Sequence, residues 1–183
     1  MRFFFPVVLF LVAINGCNQR VDSSDLVRQE GVIYKLSSDI PFTGYSEGSE
    51  QGKIEEGKRE GIWHFWYASG ELRSKGNFEG DVKTGIWFSW HKNGQLAVRG
   101  NYKSGDPIGT WNWYHSNGQL KIQGLYRSGL MHGDWVGYHD NRQLSWKSKF
   151  DTGRLDGLFE SYHRDGVIQA KIMYELGKII IAN

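Results

Sequence analysis

Apolar and aromatic residues in this chain come in short clusters separated by polar, glycine-bearing breaks, and no window carries the apolar stripe of an amphipathic helix. Short strands joined by tight turns are the predicted elements. After an apolar run at residues 3–14, the stretch Asn18 to Asp25 is polar and without periodicity, which suits a tether. Val32-Ile33-Tyr34-Lys35-Leu36 reads as a first strand, and Pro41-Phe42-Thr43-Gly44 as a turn leading onward. The pattern then becomes strictly periodic, with Gly61, Gly85, Gly109, Gly133 and Gly157 each 24 residues after the last. A fixed period of this size marks units that bury apolar surface only against their neighbours.

The unit from Gly85, GIWFSWHKNGQLAVRGNYKSGDPI, is matched closely by the unit from Gly109 and recognisably by that from Gly61. The unit from Gly133 loses two glycines and the one from Gly157 replaces Trp by Phe159, the decay expected towards a capping end. A shortened unit precedes them over residues 44–60. Each unit breaks at a pair such as Asn93-Gly94 or Asn117-Gly118, and a two-residue hairpin turn there would place His91 opposite Leu96, Trp87 opposite Gly100 and Gly85 opposite Tyr102. A large ring across a strand glycine shields bare backbone and fills missing volume, so Trp63 with Gly76, Trp87 with Gly100 and Trp111 with Gly124 are expected pairs. A three-residue turn would shift that pairing.

Composition agrees with an all-β chain. There are 24 Gly, 3 Pro, 8 Trp, 9 Tyr and 10 Phe in 183 residues. So many aromatics at a mean hydropathy of -0.51 suggest rings held on a thin, wet sheet and an elongated shape. With 22 Lys+Arg against 20 Asp+Glu the net charge is +2, and no nucleic-acid partner is called for. A single cysteine excludes an intramolecular disulfide and a multi-cysteine metal site.

That cysteine follows a basic residue, Arg2, and an apolar run too short to span a bilayer comfortably, which reads as a signal peptide over residues 1–16. Ile14-Asn15-Gly16-Cys17 resembles a bacterial lipobox, in which Cys17 is acylated and becomes the new amino terminus. Several acyl chains at ~0.8 kcal/mol per buried CH₂ would anchor the protein stably. Asn18 is not the Asp associated with inner-membrane retention, so the outer membrane or cell surface is the expected location. The alternative is an uncleaved anchor, or a cleaved signal with an incidental cysteine. The resulting division is a signal peptide at 1–16, a lipidated Cys17 and tether over 17–31, a capping strand and partial repeat at 32–60, and five repeats over 61–181.

The pattern G-x-W-x-x-W/Y-x-x-x-G-Q/E-L-x-x-x-G-x-Y/F-x-x-G resembles the bacterial variant of the MORN repeat, found in proteins labelled YwqK-type antitoxins. The resemblance covers residues 32–181 and implies an elongated single-sheet meander of five to six antiparallel hairpins. It also implies partner binding and membrane association as roles.

No nucleophile, phosphate loop or paired-carboxylate site stands out, so neither an enzyme nor a cofactor is expected. His91, His115, His139 and His163 share one repeat position, but equivalent residues lie two strands, ~9.6 Å, apart, whereas ligands of one zinc sit within ~4 Å of each other. Packing of each imidazole over its cross-strand Leu96 or Leu120 is the structural reading. The candidate binding surface is the other face, where Trp66 would face Arg73, Trp90 would face Ala97 near Arg99, and Tyr114 would face Lys121. Tyr138 would lie by Lys147 and Lys149, and Tyr162 by Lys171. Rings ~10 Å apart with basic groups between them suit an extended partner through cation–π and charge-assisted contacts. The bland alternative is that the basic stems merely cover the rings. The leading function is thus a non-catalytic, surface-anchored module binding a protein or envelope component. An antitoxin or immunity protein, or a binder of cell-wall glycan or anionic lipid, are its rivals.

Cys17→Ser should remove the protein from the membrane fraction or leave an uncleaved precursor, read by fractionation and intact mass. An unmodified Cys17 thiol in envelope-associated protein would contradict lipidation.

Overall fold

The computed structural model describes residues 19–180, so the signal segment, Cys17 and the last three residues lie outside it. One sheet dominates. Its strands are β1 (Arg20–Asp22), β4 (Gly44–Glu47), β5 (Glu50–Glu55), β6 (Lys58–Trp66), β7 (Leu72–Glu79), β8 (Val82–Trp90), β9 (Leu96–Lys103), β10 (Asp106–Tyr114), β11 (Leu120–Arg127), β12 (Leu130–Tyr138), β13 (Leu144–Asp151), β14 (Arg154–Leu155), β15 (Gly157–Tyr162), β16 (Ile168–Glu175) and β17 (Lys178–Ile179). From β4 onward they pair in chain order, β14 alone lying off the path, and every pairing is antiparallel except that of β1 with β4. β2 (Leu26–Gln29) and β3 (Val32–Lys35) form a separate hairpin. The all-β meander of hairpins expected from the repeat is therefore the fold.

Two turn types alternate along it. Between units, Ser104-Gly105 and Ser128-Gly129 have positive φ at both positions, the two-residue turn whose twist matches its strands. Within units the turn is not the two-residue one expected. The His91 N–H donates to the Gln95 carbonyl and the Gly94 N–H to the His91 carbonyl, which makes Lys92-Asn93-Gly94 a three-residue loop with Gly94 at φ +80°. Trp90 consequently faces Leu96, His91 lies against Gln95, and Ala97 is an extra residue before Ser89 meets Val98. That second irregularity restores the count, so Trp87 still faces Gly100, as Trp63 faces Gly76 and Trp111 faces Gly124.

Facing is not contact. Each tryptophan ring leans away from its hairpin partner onto the glycine of the preceding unit. A Cβ on Gly76 would fall within the Trp87 ring, one on Gly100 within Trp111, one on Gly124 within Trp135 and one on Gly52 within Trp63. The indole N–H of Trp87 donates to the Asn77 carbonyl at 3.2 Å, and those of Trp63 and Trp135 to Lys53 and Leu125. A large bulge brings the ring there, because Gly85, Ile86 and Trp87 together lie opposite the single residue Gly76. Gly85 turns the bulge at φ +66°, with open space around its α-carbon. The periodic glycines are therefore of two kinds, Gly85 and its equivalents needed for backbone angle, Gly100 and its equivalents for lack of room.

Between the tryptophans stand Phe78, Tyr102, Tyr126 and Phe150, giving an unbroken edge-to-face run. Trp63–Phe78, Phe78–Trp87, Trp87–Tyr102, Tyr102–Trp111, Trp111–Tyr126, Tyr126–Trp135 and Trp135–Phe150 centroids are all 4.9–6.2 Å apart. The start of this trough is covered by the chain's own N-terminal segment, with Val21, Leu26, Ile33 and Phe42 packed against Trp63, Phe65, Phe78 and Trp87. The expected tether is therefore folded from residue 19. The Tyr45 N–H donates to the Gln19 carbonyl, and the Phe42 N–H to that of Ile33.

Gly100→Ala should cost about 1–3 kcal/mol by overpacking, and Trp111→Ala about 3–5 kcal/mol by loss of a packed ring. Because the two groups occupy one space, the double variant should cost clearly less than the sum, read from urea midpoints. Strict additivity would show that the ring does not rest on that glycine.

Candidate binding surface

The sheet's second face carries the aromatic row. Side chains alternate along a strand, so Phe88 and Trp90 project opposite to Trp87. They stack on each other at 5.9 Å, as His64 and Trp66 do at 6.4 Å. Trp66, Trp90, Tyr114, Tyr138 and Tyr162 recur at one repeat position and are all half-buried.

The basic groups are not disposed as the two-residue turn implied. Trp66 faces Leu72, Tyr114 faces Leu120 and Tyr162 faces Ile168, while Arg73, Ala97 and Lys121 are the bulge residues. The Arg73 guanidinium lies 5.9 Å from the Phe65 ring centroid, not over Trp66. Arg99 faces Phe88 across the pair, and both Arg99 and Lys121 are exposed. Lys147 faces Val136 and Lys171 faces Glu160, and both ammonium groups gather with the Tyr162 hydroxyl around the Glu160 carboxylate.

Charge divides this face along its length. Glu160 accepts from Lys147 at 2.6 Å and from Lys171 at 2.7 Å, and its carboxylate is only 7% exposed. Hydrogen bonds from the two ammonium groups hold Glu160 at about 2, so in the last two units one carboxylate is shared by two cations. In the first two units Lys75 and Arg99, facing His64 and Phe88, have no ion pair among the described residues, and the third unit holds the neutral Gln123 at that position, facing Asn112. Burial and the charge of Lys75 push the His64 pKa down, a local sign of that uncompensated field.

The turn edge is a rail, which the sequence reading missed. Nε2 of His91, His115 and His139 each lies 2.9 Å from the carbonyl of Tyr114, Tyr138 and Tyr162, one unit on. A carbonyl only accepts, so each imidazole donates through Nε2–H. The histidines thus tie successive hairpins together and do not simply pack on leucines. Tyr67, at the same position one unit earlier, donates its hydroxyl to the Trp90 carbonyl at 2.8 Å. Asn93, Asn117 and Asn141 donate to the carbonyls of Ser116, Asp140 and Arg164 beside them.

At the opposite turn edge Asp81 departs from the repeat. Other units hold glycine there, such as Gly105 and Gly129, yet Asp81 adopts φ +72°. Its carboxylate accepts two hydrogen bonds from Arg28 of the β2–β3 hairpin, at 2.6 and 3.0 Å, and two from Arg59, through Nε and the backbone N–H. This clasp fixes the N-terminal segment on the trough. Burial works to raise the Asp81 pKa, but Arg28 and Arg59 outweigh it and hold the group at about 2.

Residues 59–79, 83–104, 107–128 and 155–176 each match a family model described as the MORN repeat variant. The unmatched stretch contains the unit with Arg142 and Ser148 in place of glycines. No curated protein matches the chain.

Asp81 is bound more tightly in its ionised form when folded, so its contribution is complete above the unfolded value of 3.8 and is lost as pH falls through about 2. Asp81→Asn, which tolerates the same φ, should cost about 2 kcal/mol near neutral pH. Urea titrations should show the gap between wild type and variant closing from about pH 5 downward. A gap independent of pH would contradict the clasp.

Proposed function

This chain belongs to the proteins built from the MORN repeat variant, and from that premise we propose that it is a non-catalytic scaffold that binds an anionic protein or envelope component along the second face of its sheet. The observation that carries this reading is the half-exposed row Trp66, Trp90 and Tyr114 with Lys75 and Arg99 on the same face, cations for which no carboxylate partner is found among the described residues. Aromatic faces and free cations on one rigid surface supply stacking, cation–π and charge-assisted contacts together. The His and Asn rail holds the spacing between rings, so the surface is organised before a partner arrives and less ordering entropy is lost on binding.

Lipid anchoring through Cys17 is the second part of the proposal. Because Arg20 already lies in β1, an acylated Cys17 three residues before it would hold that strand close to the bilayer. An immunity role is compatible with such a placement but gains no support from any particular contact.

Arg99→Glu with Lys121→Glu should leave stability within about 0.5 kcal/mol, since both side chains are exposed. The double variant should lose capture of envelope components that the parent retains at low salt, and parental capture should weaken as salt rises. Equal capture by both at low salt would mean that these residues only shield the sheet.

A further inference from the structure

Among the described residues, a cation seated between tryptophan and tyrosine rings is left without a counter-ion. Arg59 and Lys83 are equivalent residues one period apart. The Arg59 guanidinium lies over Phe78 at 3.9 Å and Trp63 at 5.9 Å, and it is matched by the Asp81 carboxylate. The Lys83 ammonium repeats that position, 4.4 Å from the Trp87 ring and 5.1 Å from the Tyr102 ring. One period after Asp81, however, stands Gly105, so the carboxylate is missing. Among the described residues Lys83 forms no ion pair. Later units carry Pro107, Met131 and Leu155 here, which makes Lys83 the last cation at this repeat position.

Lys83 borders a cavity of about 250 Å³ with Trp87, Tyr102, Trp111 and Trp113, together with Ser74 and Ser89, and no acidic residue lines it. That is below the ~300–1,000 Å³ of small-molecule and cofactor sites and nearer the scale of a side chain. The cavity continues an interface the chain already makes with itself, since Trp87 and Tyr102 also flank the cluster that Leu26 and Ile33 cover. In that covered part an extended segment lays apolar side chains on the rings, while a carboxylate is shared between the array's Arg59 and the segment's Arg28.

We propose that the Lys83 cavity docks an extended acidic segment of a partner protein, with one Asp or Glu carboxylate on Lys83 and flanking apolar side chains on Trp111 and Trp113. The ring faces exclude water from the ammonium, so a carboxylate here is worth more than one at an open surface. Burial, with repulsion from Arg59, pushes the Lys83 pKa down, and a bound carboxylate opposes both effects. The Ser74 and Ser89 hydroxyls are available to the segment's backbone. This proposal shares with the preceding one only that the array binds a partner, because its site lies on the other face.

The test is selection of a random linear peptide library displayed on phage against the full-length chain, followed by affinity measurement with the recovered peptides. Recovered sequences should share an acidic residue between apolar ones. Exchanging that Glu for Gln, or Lys83→Met in the protein, should each weaken binding at least tenfold. Lys83→Arg should keep it within a few-fold, and Arg99→Glu should not alter it. Met is native to this position at Met131, so the Lys83→Met variant is expected to fold. No enrichment, recovered peptides without an acid, or equal binding to the Lys83→Met variant would overturn the proposal. Loss of binding with Arg99→Glu but not with Lys83→Met would place the peptide on the other face and overturn the proposal.

Discussion

The fold depends on one contact, an indole of each hairpin lying flat on a glycine of the hairpin before it. A single-layer sheet has no opposing layer to bury its apolar face, so each unit must find that burial in its neighbours. The Trp–Gly seat does this by removing the side chain below and sealing the backbone with the ring above, which leaves Trp87, Trp111 and Trp135 at 4–8% exposure. Everything else is arranged around the seat. The bulge at Gly85, Gly109 or Gly133 carries the ring across to it, and Tyr102 and Tyr126 fill the gaps between rings.

The same contact is lost in the last described units. Ser148 takes the place of a seat glycine and Phe159 that of the ring, and Ile172 occupies the last seat with a side chain of its own. At the other end Gly52 receives Trp63, and the trough is closed by Leu26, Ile33 and Phe42. Between these ends the His and Asn rail adds polar ties that do not compete with the rings for space. A scaffold stiffened in this way can present different chemistry on each face without changing its backbone. The second face is cationic and aromatic in its first units, and in its last two Glu160 ties two of the cations together.

The period, the hairpins and the pairing of Trp87 opposite Gly100 were legible in the sequence, because glycine and tryptophan are placed by sterics that act locally. Which glycine the ring covers was not legible. A tryptophan in a central strand has two neighbours, and only the bulge at Gly85 decides between them. The Asn-Gly turns were misread for a similar reason, since that pair serves both a two-residue turn and a three-residue one with Gly94 in the left-handed region. The bulge at Ala97 then hides the difference from any count made further along the strand. Folding of residues 19–31 did leave a signal, in the substitution of Asp81 where other units hold glycine. Arg59 and Lys83 were overlooked because cation–π seats on the tryptophan face follow from side-chain lean, which periodicity does not encode.

Amide hydrogen exchange, resolved by residue across the whole array, measures most directly whether the units are welded by the seat. With the ring of each hairpin resting on the preceding one, β6 to β13 should open with a shared free energy, and β15–β16, which lack both Trp and seat glycine, should open more easily. Separate opening free energies for each hairpin, or protection in β15–β16 equal to that of the central strands, would contradict it.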